Sequence, residues 1–311
     1  MAPTIDGDVE LAEQAIDLLP AKKVSAFSVA ALAPGLGLRL AAVGAPLNGT
    51  FEIGSINKAI TGMLYADAVD RGEVSGSTEL REVFDLGLTP AGSVTLDELS
   101  QHRSGLRDDV LNPLQRARVI LDLLRARNPY HGDVEDLVRK LRKARLTAPV
   151  PTYSNLGFAA LGHAVAQRTG LNYAELLDRS FPGLDKRGSH PVQGRDEAGR
   201  SQEPWDDLEF YPAGGISTDI GAMGDYAGSL LDGSAPGMSA LTPTARFDSG
   251  THIGAGWLTS QVDGHTLTWH NGATGGFSSW IGLDRPAKRA VVLLGATSHP
   301  MDTTGERLLL A

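Results

Sequence analysis

Apolar residues recur at helical spacing from Val9 to Leu19, where Val9, Leu11, Ala12, Ala15, Ile16 and Leu19 share one face. Val24 to Leu32 and Leu38 to Val43 are rich in β-formers, and Pro34-Gly35 between them predicts a hairpin. Thr50 to Ile53 reads as a short strand. Ser55 then opens a long helix that ends at Arg71-Gly72 with a glycine cap; Ile56, Ala59, Ile60, Met63 and Leu64 predict that it is largely buried. From about Asp85 to Asp207 helix-type runs dominate, among them Pro113 to Arg127, Val134 to Arg145 and Leu156 to Thr169. Strand patterns return at His252 to Thr259, His265 to His270, Phe277 to Gly282 and Ala290 to Gly295, and a last helix is expected near Asp302 to Leu310. Strands at both ends with helices between them predict an α/β (α+β) fold with an all-helical insertion. The periodicity does not say whether the terminal strands share a sheet. The loop Lys186 to Pro204 is polar and carries Gly and Pro, as a surface excursion bordering a cleft would.

Composition removes several function classes. The chain has 311 residues, enough for a large core. Its net charge of −9 argues against nucleic acid or an anionic membrane surface as a partner. The basic run Arg139 to Arg145 is the local exception and reads as a solvated helix face. With no cysteine there is no disulfide, thiolate nucleophile or thiolate metal site. The eight histidines show no ligand spacing, and no glycine fingerprint opens a helix after a strand, so neither a metal nor another cofactor is expected. No stretch approaches the ~18 to 20 apolar residues of a membrane span. The N-terminal residues carry neither a basic start nor an apolar h-region, which predicts a cytoplasmic protein, or an exported one whose signal has been trimmed.

Candidate chemistry begins at Gly54-Ser55-Ile56-Asn57-Lys58. Ser55 and Lys58 lie one helical turn apart, on one face. A serine hydroxyl is a weak nucleophile until a base lies within hydrogen-bond reach. Lys58 can be that base if neutral, and the positive end of a helix favours its free amine. The same helix end offers backbone N–H groups to an oxyanion. An N-cap serine followed by a surface lysine looks the same, so the tetrapeptide alone decides nothing. Two more motifs do: Tyr153-Ser154-Asn155, 98 residues downstream before a helix-like run, and His270-Asn271-Gly272, followed by Ala273, at the end of a strand pattern.

This ordered trio resembles the serine β-lactamase and penicillin-binding protein superfamily, with its Ser-x-x-Lys, Ser-Asp-Asn and Lys-Thr-Gly signatures. The tyrosine resembles the class C branch, which includes DD-peptidases, D-aminopeptidases, family VIII esterases and acyltransferases. Phe51 to Gly54, Leu99 to Leu106 and Ala213 to Thr218 resemble further segments of that branch. The resemblance implies an antiparallel sheet built from both termini and flanked by helices. It implies one part formed by residues 1–84 with 208–311, a mainly helical part formed by 85–207, and an active site in the cleft between them. It also implies roles. Ser55 is the acylated nucleophile, with Lys58 and Tyr153 as its proton relay. Asn155 bonds Lys58 and the substrate carbonyl. His270, Asn271 and Gly272 line the substrate, and the Ala273 N–H completes an oxyanion hole with Ser55. His102 falls in a segment that is structural in the family.

His270 stands where the family carries lysine, and a mostly neutral imidazole recognises an anion less strongly than a fixed ammonium does. Carboxylic esters are therefore the first expectation for substrate, with β-lactams and D-amino-acid peptides or amides next. An acyltransferase needs only a different acceptor. The non-enzyme alternative is an inactive sensor of acyl ligands. The oligomeric state stays open.

Overall fold

The computed structural model describes residues 4–20, 23–24, 26–107, 113–148 and 150–311, and the side chains of 113–116 are not considered. Among these residues eleven strands are assigned: β1 (Ile5–Gly7), β2 (Phe27–Ala33), β3 (Gly37–Val43), β4 (Phe51–Glu52), β5 (Ser217–Thr218), β6 (Ala245–Arg246), β7 (Thr251–Ile253), β8 (Leu258–Val262), β9 (His265–Ala273), β10 (Ser278–Asp284) and β11 (Arg289–Gly295). Nine of them form one sheet in the order β1-β3-β2-β11-β10-β9-β8-β7-β6, and every pairing in it is antiparallel. The junction β2–β11, with Phe27 opposite Gly295, joins the N-terminal strands to the C-terminal ones. The short strand expected at Thr50 to Ile53 lies outside this sheet and pairs β4 with β5.

Ten α-helices are assigned among the described residues: α1 (Val9–Leu18), α2 (Ile56–Asp70), α3 (Leu96–Ser100), α4 (Pro113–Leu124), α5 (Val134–Lys143), α6 (Asn155–Arg168), α7 (Tyr173–Ser180), α8 (Tyr211–Gly214), α9 (Ile220–Asp232) and α10 (Asp302–Leu310). Central strands alternate their side chains between two apolar clusters. Trp280, Val291 and Leu293 pack towards α1 and α10, while Ile281, Val292 and Leu294 pack into the larger cluster with α2, α6 and α9. With both faces of the sheet covered, β10 is buried along its whole length. Helix α2 is buried from Ile56 to Ala68, so it is apolar on all sides except where polar residues have a specific partner.

One expected strand is split. His252 to Thr259 forms the end of β7, a loop, and the start of β8. Gly254-Ala255-Gly256 leaves the ladder to press on α2, where the Ala255 carbonyl occupies the space a Cβ on Gly62 would need. Gly256 takes φ +76° against the Lys58 carbonyl, a conformation and a closeness that only glycine permits. The basic run on α5 is only partly solvated. Lys140 donates to Glu209 at 2.7 Å and Arg142 to Asp85 at 2.8 Å. No helix among the described residues is long and apolar enough to cross a membrane.

Candidate active site

Ser55 enters α2 through a left-handed turn. Gly54 has φ +49°, and a Cβ there would lie 2.6 Å from the Ala273 nitrogen. Ser55 itself is helical (φ −68°, ψ −7°), and its hydroxyl makes no capping bond. Instead Lys58 Nζ donates to Ser55 Oγ at 2.9 Å. The bland alternative, a serine serving as an N-cap, does not describe this hydroxyl.

The amine of Lys58 is fully buried and held from two sides, because it also donates to the Ala213 carbonyl at 2.6 Å. Asn57 donates to the Tyr211 carbonyl and Thr61 to the Pro212 carbonyl, so three polar side chains of α2 satisfy three successive carbonyls of α8. Tyr173 supports the clamp by donating to Asn57 at 2.9 Å. A buried backbone carbonyl left without a partner is costly. The clamp therefore fixes α8, and with it the Lys58 amine, relative to Ser55. The polar positions Asn57 and Thr61 in an otherwise apolar helix were its signal in the sequence.

Tyr153 and Asn155 reach the same place from the start of α6, capped by the Ser154 hydroxyl accepting from the Gly157 N–H at 2.9 Å. Lys58 Nζ lies 4.9 Å from the centre of the Tyr153 ring. Ser55, Tyr153, Asn155 and Ala273 line one cavity of about 230 Å³. Tyr130, Trp205, Asp207 and Phe210 form another part of its lining, and none of these four stood out in the sequence. They come from segments more than seventy residues apart, and only the polar loop that ends at Pro204 pointed towards them.

His102 is buried, with φ +57°, and accepts the Ser154 N–H on Nδ1 at 3.1 Å. Its ring stacks on Tyr153 and on Phe158 with centroids 4.6 Å apart in each case. It thus holds the turn that presents Tyr153, through one hydrogen bond and one ring contact. Burial, then the nearby Lys58 and His270, hold its imidazole well below the usual histidine range.

The third motif is arranged differently from expectation. His270 is 1% exposed and lies behind the cavity rather than in its lining. Its Nδ1 is 2.6 Å from the Asn271 carbonyl, which can only accept, so the proton sits on Nδ1. Burial first, and Lys58 second, push its pKa down to about 4. Asn271 points the other way, donating to Asp302 of α10 at 2.7 Å, as strand alternation requires of the residue between His270 and Gly272. Gly272 faces protein and not an open strand edge. A Cβ there would lie 2.0 Å from the Ile53 carbonyl and 2.9 Å from the Ser55 nitrogen. The missing side chain lets β9 close on the Ser55 turn. Ala273, next along the strand, does face the cavity.

A family model described as Beta-lactamase matches residues 45–311. The chain belongs to the beta-lactamase family. As a member it is a serine hydrolase, and the sheet with its flanking helices is that family's fold. Among solved structures it is similar to a D-alanine carboxypeptidase AmpC from Burkholderia cenocepacia, with TM-score 0.79 and 19% identity over 96% of this chain and 98% of that one. A class C beta-lactamase from Rhodobacter sphaeroides gives TM-score 0.77 and 18% identity over 98% of this chain and all of that one. An octameric penicillin-binding protein homologue from Pyrococcus abyssi gives 0.80 and 18%, over 96% of this chain and 76% of that one. At such identities the likeness shows the fold; the bond this beta-lactamase-family chain cleaves is a separate question. Among the described residues no cluster of three or more His, Asp or Glu is arranged to hold a metal ion.

Proposed function

We propose that the protein hydrolyses small carboxylic esters through an acyl-enzyme on Ser55, in a cleft between the part formed by 1–84 with 208–311 and the helical part 85–207. The carrying observation is the 2.9 Å contact between Lys58 Nζ and Ser55 Oγ at the wall of a cavity that Tyr153 and Asn155 also line. In acylation Ser55 Oγ attacks the ester carbonyl. Its proton passes through Lys58 and Tyr153 to the departing alkoxide, which leaves as alcohol. Water then attacks the acyl-serine, releasing the carboxylic acid and restoring the Ser55 hydroxyl. The N–H groups of Ser55 and Ala273 are the candidates for holding the oxyanion in both steps.

The neutral His270 behind the cavity favours esters over substrates that need a fixed cation at this position. Likeness to a D-alanine carboxypeptidase and a class C beta-lactamase favours a second reading, β-lactam or D-alanyl peptide cleavage. Turnover of nitrophenyl esters, a chromogenic cephalosporin and D-alanyl anilides, each with and without an added alcohol or amine, tests both. Ester turnover that exceeds the other two supports the proposal. Cephalosporin or anilide turnover above ester turnover replaces it with the second reading. Faster product formation with acceptor points to a transferase, and stoichiometric acylation without turnover to a sensor.

A further inference from the structure

The cavity carries charge of one sign. Among its described lining residues Asp207 is the only carboxylic acid, and there is no lysine, arginine or histidine. Asp207 sits between two aromatic residues of the same wall, Trp205 and Phe210. Tyr130 joins them, with ring centroids 5.1 Å from Trp205 and 5.0 Å from Phe210. One oxygen of the carboxylate accepts the Phe210 N–H at 2.7 Å. Lys140 favours the Asp207 anion and the neighbouring Asp206 opposes it, each less than burial does. Lys140 lies 5.0 Å from the Phe210 ring centre, but its ammonium is bonded to Glu209 at 2.7 Å and it does not line the cavity. Burial raises the Asp207 carboxyl above its ordinary value, so the anion is poorly solvated and a cation beside it recovers part of that deficit. Aromatic faces attract cations as well.

We infer that the site selects esters or amides carrying a cationic group, such as an alkylammonium, which lies against Asp207, Trp205 and Tyr130 while the scissile carbonyl meets Ser55. This rests on the hydrolase reading above and names its substrate class. An anionic substrate finds the opposite: a carboxylate in the wall, and a buried neutral imidazole where the family's lysine would stand.

The test compares three butyrate esters whose alcohol parts are choline, the neutral isostere 3,3-dimethylbutanol, and 3-hydroxypropionate. The ratio of kcat/KM between esters is the readout, which cancels any general effect of a substitution. Wild type should prefer the choline ester to the neutral one by about tenfold and should disfavour the anionic ester further, given the strength of exposed to partly buried cation contacts. Asp207→Asn keeps an acceptor for the Phe210 N–H and should bring the cationic-to-neutral ratio close to one; Asp207→Glu should recover most of it. An anionic ester used as well as the cationic one, or a ratio that Asp207→Asn leaves unchanged, overturns the inference. A second arm does not need turnover: choline and 3,3-dimethylbutanol are titrated by saturation-transfer NMR into wild type and Asp207→Asn. If no ester is cleaved and Ser55 is not acylated, the hydrolase reading fails. Choline binding that depends on Asp207 would still support the charge selection, and its absence would overturn it.

Discussion

Placing one methyl group on Gly272 should disable the site without touching any catalytic side chain. A Cβ at this position meets the Ile53 carbonyl at 2.0 Å, the Ser279 hydroxyl at 2.5 Å and the Ser55 nitrogen at 2.9 Å, whereas ordinary contact begins at 3.4 Å. The gap between β9 and the Ser55 turn must therefore open by about 1.4 Å at its tightest point. Neither side yields easily. Ile53 also accepts from Ser279 at 2.7 Å, and β9 is paired with β10 from Leu267 to Ala273. Overpacking of this kind costs about 1–3 kcal/mol of stability. The larger effect is on geometry, since a misplacement near 1 Å costs roughly a hundredfold in rate. Gly272→Ala should thus remain folded while losing about two orders of magnitude in fluorophosphonate labelling of Ser55 and in ester kcat. Thermal unfolding and labelling kinetics, measured on the same preparation, separate the two effects. Gly250→Ala is the control, because nothing lies within 4 Å of a Cβ there. Labelling and stability of Gly272→Ala both equal to that control would refute the close-packing argument.

Ser55 should be the residue modified by a fluorophosphonate in peptide mass mapping. Lys58→Ala and Tyr153→Phe should each slow labelling severely, with the double variant little worse than the worse single, because members of one proton relay are not additive; losses that multiply would separate their roles. His270 has a native pKa of about 4 against an ordinary value of 6.5, so its contribution to stability is complete above pH 6.5 and is lost as pH falls towards 4, by about 3 kcal/mol in total. The urea midpoint of wild type should therefore fall more steeply than that of His270→Gln over this window, and parallel curves would count against the buried neutral imidazole. His102→Asn should retain more activity and stability than His102→Ala. The asparagine oxygen can accept the Ser154 N–H and tolerates φ +57°, whereas alanine leaves that buried donor unmatched at a cost of about 1–3 kcal/mol. Equal loss in both would assign the effect to the ring contact with Tyr153 alone.

Local chemistry carried the reading of this chain as far as local chemistry reaches. Gly54 before Ser55, the turn of helix between Ser55 and Lys58, and the helix following Tyr153 are set by residues a few positions apart, and their pattern was plain in the sequence. Strand alternation also held enough to place Asn271 on the opposite side of the sheet from His270, although the resemblance to a family motif suggested otherwise. Long-range packing decided the rest. Whether 252–259 was one strand or two depended on Gly62 of α2 leaving room for the Ala255 carbonyl. That Gly272 faces the Ser55 turn, and not substrate, depended on how closely β9 closes on it. The histidine in the third motif is neutral as expected but changed its place, because packing that no single segment determines buries it behind the cavity. The wall of Tyr130, Trp205, Asp207 and Phe210 had no motif of its own. Its charge and shape arise from loops brought together by contacts such as those of the Asn128 N–H with Glu203 and the Trp205 N–H with Glu52, and those exist only once the chain has folded.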